Sequence, residues 1–391
     1  MKKVLLTTMG LLALLKSFTQ QQPDSVGRKL RIEEINLVSS YYQQSGDHAG
    51  VTGGVGTQRL TDVANVFDLK LAKFDKKNRK HMLDLELAVD HYTSASSDMI
   101  DLKANSSASY NDTRIAPAIT YSVEHDAAGR GFSLGVSASK EVDYRSHGVN
   151  IGFTKKTKDR NGEFSARLQA YFDEVKLIAP IELREPGAFK GYPTDQRTTF
   201  AGSFSWSQVI NRNLQVMLLA DVVKQEGYLS MPFYRVYFND GSVHQENLPS
   251  SRFKLPLAVR ANYFLGDRVI VRSYYRYYQD DWGVRSHTAN VELPVKLTPF
   301  VSISPFYRYY HQSAVDYFAP YGEHSGAGTY YTSNYDLSAF DSHFLGAGIR
   351  LAPPKGVLGW QHFNMLELRY GHYTRSNDLN ANSVSLHIRF K

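Results

Sequence analysis

The chain has 391 residues, a formal charge of +7, no cysteine, and 26 tyrosines and 21 phenylalanines against 14 prolines. The missing cysteine excludes disulfides and a lipidated N-terminal Cys, and a balance this mildly basic does not argue for nucleic acid. A mean hydropathy of -0.38 beside so many aromatic rings suggests rings that serve a surface rather than a core.

The first residues have the parts of a secretory leader: Lys2 and Lys3, an apolar run from Val4 to Leu15, then small and polar residues. We expect a signal peptide over 1–20 and one domain over 21–391, because no linker, charge block or low-complexity run divides the rest. No later run of roughly 18 apolar residues could cross a membrane as a helix. An exported chain of this kind is either soluble or inserted as a β-barrel.

Two-residue periodicity then runs along the whole sequence. "HMLDLELAVDHYT" sets Leu83, Leu85, Leu87 and Val89 against Asp84, Glu86 and Asp90; "TRIAPAITYSVEHD" sets Ile115, Ile119, Tyr121 and Val123 against Thr120, Ser122 and Glu124. Similar segments continue from "GFSLGVSAS" to the closing "ANSVSLHIRFK", and they predict about sixteen strands, within a range of roughly 14 to 18. Pro117, Pro256 and Pro305 fall inside them, where a missing N–H predicts bulges or strand ends.

The connections alternate by length. Short turns such as "DKKNRK" and "NRN" alternate with segments that are mostly long, near 43–58, 94–112, 178–196, 229–251 and 313–340, with shorter members near 144–148, 280–286 and 374–381. A soluble sandwich has no reason to sort its loops by parity. A closed antiparallel transmembrane β-barrel has one, with short periplasmic turns and long external loops.

The apolar parity then faces lipid. Tyr275, Tyr277, Tyr307 and Tyr309 lie on it near strand ends, as an interfacial girdle requires; carbohydrate-binding rings on a soluble sheet are the alternative. The other parity lines the lumen unevenly. Early strands point Asp68, Lys70, Asp84, Glu86, Asp90 and Glu124 inward, and late strands point Arg260, Arg272, Arg276, Arg308, Arg350 and Arg369 inward. An acidic wall would face a basic one across the bore, setting up a transverse field for dipolar solutes. The competing expectation is that these charges pair with neighbours or with a plug.

The external segments are rich in glycine at Gly53, Gly54 and Gly56 and in small polar residues around Asp98, Asp101 and Asp112. These carboxylates lack the D-x-D-x-D-G spacing of a calcium loop, so no metal is expected. No cofactor is expected either. The histidines are scattered singly, and neither G-x-S-x-G nor H-E-x-x-H occurs, so we expect no enzyme. A barrel hydrolase assembled from His91, Ser94 and Ser96 is the weaker alternative.

The strings "TGGVGTQRLTDVAN", "DHYTSASSDMID" and "SSASYNDTR" resemble an uncharacterised outer-membrane family of Bacteroidetes and other Gram-negative bacteria, domain of unknown function family 3570. The likeness covers most of the chain and is strongest from Gly46 to Arg114. It implies a β-barrel in the outer membrane and brings no established activity. It also implies a setting near periplasmic redox clusters, beside a flavin transferase, a thioredoxin-like protein and a small lipoprotein. The expected partners are outer-membrane lipids, the barrel-assembly machinery and a lipoprotein or other envelope protein. Phe390 stands where such barrels keep an aromatic assembly signal, although Lys391 follows it. The expected function is porin-like passage of small polar solutes, and the alternative is a non-conducting scaffold that docks a partner.

Overall fold

A computed structural model describes residues 29–93, 111–184 and 192–391. The expected leader, Ser94, Ser96, Asp98 and Asp101 lie outside them. β1 (Arg31–Ser45), β2 (Leu60–Phe74), β3 (Lys80–Thr93), β4 (Asn111–His125), β5 (Arg130–Lys140), β6 (Tyr144–Lys156), β7 (Gly162–Lys176), β8 (Thr194–Asn211) and β9 (Leu214–Gly227) follow one another as antiparallel neighbours. A small loop hairpin follows, β10 (Arg235–Tyr237) and β11 (Val243–Gln245). The sheet resumes with β12 (Ser251–Leu265), β13 (Val269–Asp280), β14 (Arg285–Glu292), β15 (Val295–Thr298), β16 (Val301–Gln312), β17 (Phe340–Leu351), β18 (Phe363–Arg375) and β19 (Asn380–Phe390).

β14 and β15 are one stave interrupted at Leu293 and Pro294, since both pair with β13 and with β16. The result is a closed barrel of 16 strands. Its seam joins β1 to β19, from Ile35 opposite Phe390 to Ser45 opposite Asn380. Closure satisfies the edge groups that hydrocarbon could not.

The strands form because each has one face for lipid and one for the lumen. Leu134, Ile151 and Leu168, on one rung of neighbouring strands, and Ile349 on β17 are each about half exposed, at 50%, 48%, 59% and 50%, on the outer face. In water such a band would be an aggregation surface; in a bilayer it is the solvated face. No central apolar core exists among the described residues. The buried cluster of Leu248, Trp282, Val284 and Val315 belongs to the outer loops.

The connections sort as the sequence predicts. Segments 75–79, 126–129, 157–161, 212–213, 266–268, 299–300 and 352–362 share one end with both terminal strands. The opposite, external end carries 46–59, 177–184, 228–250 and 313–339, with tight connections at 141–143, 281–284 and 376–379. The β5–β6 connection therefore precedes the expected 144–148, because Tyr144 already belongs to β6.

The prolines behave differently from expectation. Pro117 lies opposite Leu87 and Pro256 opposite Tyr278 in unbroken register. Each leaves a gap in pairing on its other side, toward β5 and β9, and the register resumes unshifted. A strand with two neighbours can lose rungs on one side and stay in place. The bulges lie elsewhere, for example between Phe363 and Met365.

Candidate functional site: the lumen and its loop cap

Alternation along the strands fixes which side chains enter the lumen, and the register fixes their neighbours. Five of the twelve expected lumen charges, Asp68, Lys70, Asp90, Arg272 and Arg369, form ion pairs inside their own wall. Lys70 lies 3.5 Å from Asp68 and 3.8 Å from Glu34, and Arg114 lies 3.0 Å from Asp90. On the far wall Glu292 lies 3.6 Å from Arg272 and 2.9 Å from Arg369, which also reaches Glu367 at 3.1 Å. Arg260 stacks on Tyr274 at 5.8 Å and Arg308 on Phe344 at 5.6 Å. Among the described residues Asp84, Glu86, Glu124, Arg276 and Arg350 have no opposite charge within 4.0 Å.

The two halves of the lumen are filled differently. Along β13–β18 large side chains occupy the interior: the Phe306 and Phe344 rings stand 5.1 Å apart, with Arg369 over Phe306. Gly346 and Gly371 are register partners, and a Cβ on either would meet the Phe306 ring. Along β3–β9 the inward residues are mostly small or neutral, including Ala116, Ala118, Thr120, Ser137, Ser146 and Asn150. There the interior leaves a cavity of about 920 Å³. Asp84 and Glu86 lie on one flank of it with Arg114, and Arg167 and Arg197 on the other with Asp173. A second cavity of about 430 Å³ shares Thr120 and Arg167 with the first and reaches Glu124 and Gly131 beside the periplasmic turn. The predicted arginine wall fills space, and the open volume lies beside small residues that the charge pattern gave no reason to single out.

The outer mouth carries a packed cap made of 46–59, 228–250 and 313–339. Gly53 and Gly54 have φ of 78° and 89°, in the left-handed region that favours glycine. A Cβ on Gly53 would lie 2.6 Å from the Tyr237 ring, and one on Gly54 would lie 2.8 Å from both the Ser333 carbonyl oxygen and the Tyr335 ring. The glycine string thus serves close approach. His48 stacks on Tyr335 at 3.7 Å, and Arg235 donates to the Val51 carbonyl at 2.7 Å. Arg235 also binds Glu182 in the neighbouring connection, which holds the Glu182 carboxyl below the ordinary range. Gly56 also has positive φ, at 88°.

Inside the cap Glu246 is 4% exposed. Its carboxylate accepts from the Thr332 hydroxyl at 2.5 Å and from the Met231 amide at 2.6 Å. Burial pushes its pKa from 4.5 up to about 7. His324 pairs with the Thr332 carbonyl at 3.0 Å, and burial holds its pKa below the ordinary value. The cap is anchored to the bore from below: Gln312 donates to the Ser338 carbonyl at 2.6 Å, and Arg375 to Asp336 at 2.7 Å and to the Tyr335 carbonyl at 2.7 Å.

Asp112 is buried beside Glu141 and Asp143, with one oxygen from each within 4.8 Å of the others. These three could hold a metal ion. Both Asp112 oxygens already accept backbone amides, from Thr113 at 2.6 Å and Val142 at 3.0 Å, so the residue also serves to shape the β5–β6 connection.

On the outer face Tyr275, Tyr307 and Tyr309 are exposed, and their phenols meet polar partners nearer the rim. Tyr275 bonds His287 at 2.7 Å, Tyr307 bonds His343 at 2.7 Å, and Tyr309 donates to Asp341 at 2.5 Å. Tyr277 lies against the His287 ring at 5.3 Å. The histidines looked scattered in sequence because register, which assembles them, is invisible there. His91 pairs with Thr113 at 2.9 Å. At the opposite end Phe390 packs on Trp360 at 5.3 Å and on Phe363 at 5.2 Å.

Residues 93–381 match a family described as "Protein of unknown function (DUF3570)". The chain belongs to this family. The match begins at Thr93, so the glycine string from Gly46 lies outside the matched span. No curated protein matches. Among solved structures the chain is similar to a ferric enterobactin receptor (PfeA) of Pseudomonas aeruginosa, at 13% identity, 90% of this chain, 55% of that one and a TM-score of 0.48. It is also similar to a bacterial polysaccharide outer membrane secretin, at 11% identity, 94% of this chain, 99% of that one and 0.46. A third is OccK9 (OpdG) of Pseudomonas aeruginosa, at 8% identity, 94% of this chain, 100% of that one and 0.44. The chain spans about half the length of the receptor it matches. This DUF3570 member is a closed 16-strand β-barrel with the apolar outer wall that a membrane requires.

Proposed function

We propose that this barrel conducts small polar solutes along its β3–β9 wall, beneath a cap that narrows the mouth. The cavity of about 920 Å³, lined by small and polar side chains and continued toward the periplasmic end by one of about 430 Å³, supports this reading most directly. Barrels of sixteen or more strands leave room for water. Charges of both signs along this wall, Asp84, Glu86 and Arg114 on one flank and Arg167, Arg197 and Asp173 on the other, would orient a dipolar solute. Conductance of the purified barrel in planar bilayers tests it. Ala118→Trp should cut the current, because the indole would enter the clear path, whereas Arg276→Ala on the filled wall should change it little. A barrel that passes no current, capped or uncapped, overturns the reading.

A scaffold is the second reading, and the cap favours it: its loops bury Trp282 and Glu246 as tightly as a folded domain does. Such a surface could dock a lipoprotein or a secreted partner. No catalytic role belongs to either reading.

A further inference from the structure

The external rim of the barrel carries an ordered set of histidines. His91, His147, His287, His311, His343 and His372 all lie within three residues of the outer end of a strand. Each shares its face with lipid-facing neighbours, because residues directly opposite in register point the same way. His147 lies opposite Phe172, His343 opposite Tyr309, and His372 opposite Leu345, and those neighbours are 50%, 36% and 52% exposed. His287 and His311 are register partners of each other. The imidazoles therefore stand on the membrane side of the wall, just above the apolar band.

From β13 to β19 they repeat one arrangement. A tyrosine lower on the wall reaches up with its phenol, and a histidine above it is held through Nδ1. Tyr275 meets His287 and Tyr307 meets His343, each at 2.7 Å. Tyr370 and His372 share the Asn382 oxygen at 2.8 and 2.9 Å. Asp341 takes Tyr309 at 2.5 Å and His311 at 3.0 Å. In every case Nδ1 is engaged, and among the described residues Nε2 has no protein partner. A plain girdle is satisfied by phenols, whose rings rest in hydrocarbon and whose hydroxyls reach water. Here a second tier of oriented ring nitrogens sits at the height of the headgroups.

We propose that this outer rim, centred on His287, His311, His343 and His372, binds the phosphorylated headgroups of outer-leaflet lipids. A phosphate beside Nε2 favours protonation of the imidazole and accepts a charge-assisted hydrogen bond from it. Arg285 lies in register opposite Gln279, two positions above His287, and supplies a permanent cation. On the other flank Lys140 and Arg145 are register partners beside His147, opposite Ala138. The carboxylates on this face include Asp341, held by His311 and Tyr309, Glu174, 3.8 Å from Arg145, and the exposed Glu226 of β9, opposite Thr198. Asp341 and Glu174 are matched by a neighbouring donor or cation, and Glu226 has Lys224 two positions along the same face of β9, so the rim keeps its affinity for anions.

Native mass spectrometry of the full-length barrel in detergent tests the proposal with defined lipids. Diphosphoryl lipid A should be retained about tenfold more tightly than monophosphoryl lipid A, since one charge-assisted contact is worth about that factor. A barrel combining His287→Gln, His311→Gln, His343→Gln and His372→Gln should lose the distinction while keeping the heat-modifiable mobility of a folded barrel. Equal retention of both lipids by the wild type overturns the proposal, and so does an unchanged preference in the folded variant. The comparison of two lipids on the wild type needs no variant, so it decides the matter even if the fourfold substitution does not fold.

Discussion

The Thr332 hydroxyl donates to the buried Glu246 carboxylate at 2.5 Å, across 86 positions of sequence. That bond ties the 313–339 segment to the 228–250 segment at the centre of the cap. The other carboxylate bond comes from the Met231 amide, so Glu246 gathers both segments around one titratable group.

The cap should therefore respond to pH, and the sign follows from the two buried groups. Glu246 has its pKa raised from 4.5 to about 7. Folded cap binds its proton more tightly than opened cap, so this contribution is full below pH 4.5 and is lost as pH rises through about 7. The shift corresponds to at most roughly 3 kcal/mol. His324, with its pKa lowered by burial, acts oppositely: its contribution is present above the ordinary value of 6.5 and is lost as pH falls through its lower folded pKa. Above pH 6.5 only the Glu246 contribution still changes, so the wild-type cap should loosen as pH rises from 6.5 through about 7. Glu246→Gln should leave a cap whose protection only rises with pH. Hydrogen exchange of the 228–250 and 313–339 amides, corrected for intrinsic rates, reads both.

Gly54→Ala should loosen the cap without harming the barrel. The new methyl would sit 2.8 Å from the Ser333 oxygen, at a φ of 89° that alanine avoids. Strain of this kind costs on the order of 1–3 kcal/mol. Protease cleavage within 46–59 should accelerate, while the heat-modifiable mobility of the barrel stays unchanged. Equal cleavage rates would show that the glycine is not needed for close packing.

Strand number, loop parity and the lipid face were legible because each depends on a two-residue period or on connection length. Leu134 or Ile349 declares its face through its immediate neighbours alone. What one period cannot reveal is which residues of distant strands share a level. The pairing of Tyr307 with His343, 36 positions apart, follows from register, as does the rung that sets Gly346 beside Gly371. The inward charges were readable as inward, but the pairing of Arg369 with Glu292, 77 positions away, was not. A wall that looked basic in sequence is thus partly neutralised in space. Prolines misled for a related reason, since a barrel strand has a neighbour on either side and can spare rungs on one of them.

Arg369→Ala should widen the lumen and change its charge preference. The guanidinium lies over Phe306 and neutralises Glu292 and Glu367. Removing it leaves Glu367 without its ion-pair partner and Glu292 with Arg272 alone, and it frees the volume of the side chain. If the barrel conducts, single-channel current should rise and reversal potentials in a salt gradient should move toward cation preference. Because the arginine is a third exposed, at 33%, water would screen part of the lost pairing, and stability should fall by no more than about 1 kcal/mol. An unchanged reversal potential would mean that ions pass clear of this wall.

The seam makes the last prediction. β19 pairs with β1 from Phe390 to Asn380 and with β18 from Phe390 to Asn380, so it is an interior stave with ladders on both sides. Deleting residues 384–391 would strip most of both ladders and expose the backbone of β1 and β18 to lipid, where each unsatisfied group costs several kcal/mol. It would also remove Phe390 from between Trp360 and Phe363, at the periplasmic end where an aromatic signal would be read. The truncated chain should accumulate in the periplasm or be degraded, and cell fractionation with surface proteolysis measures this. Phe390→Ala separates the two causes: the backbone ladders survive it, so a defect in that variant would come from the lost ring and not from an open seam.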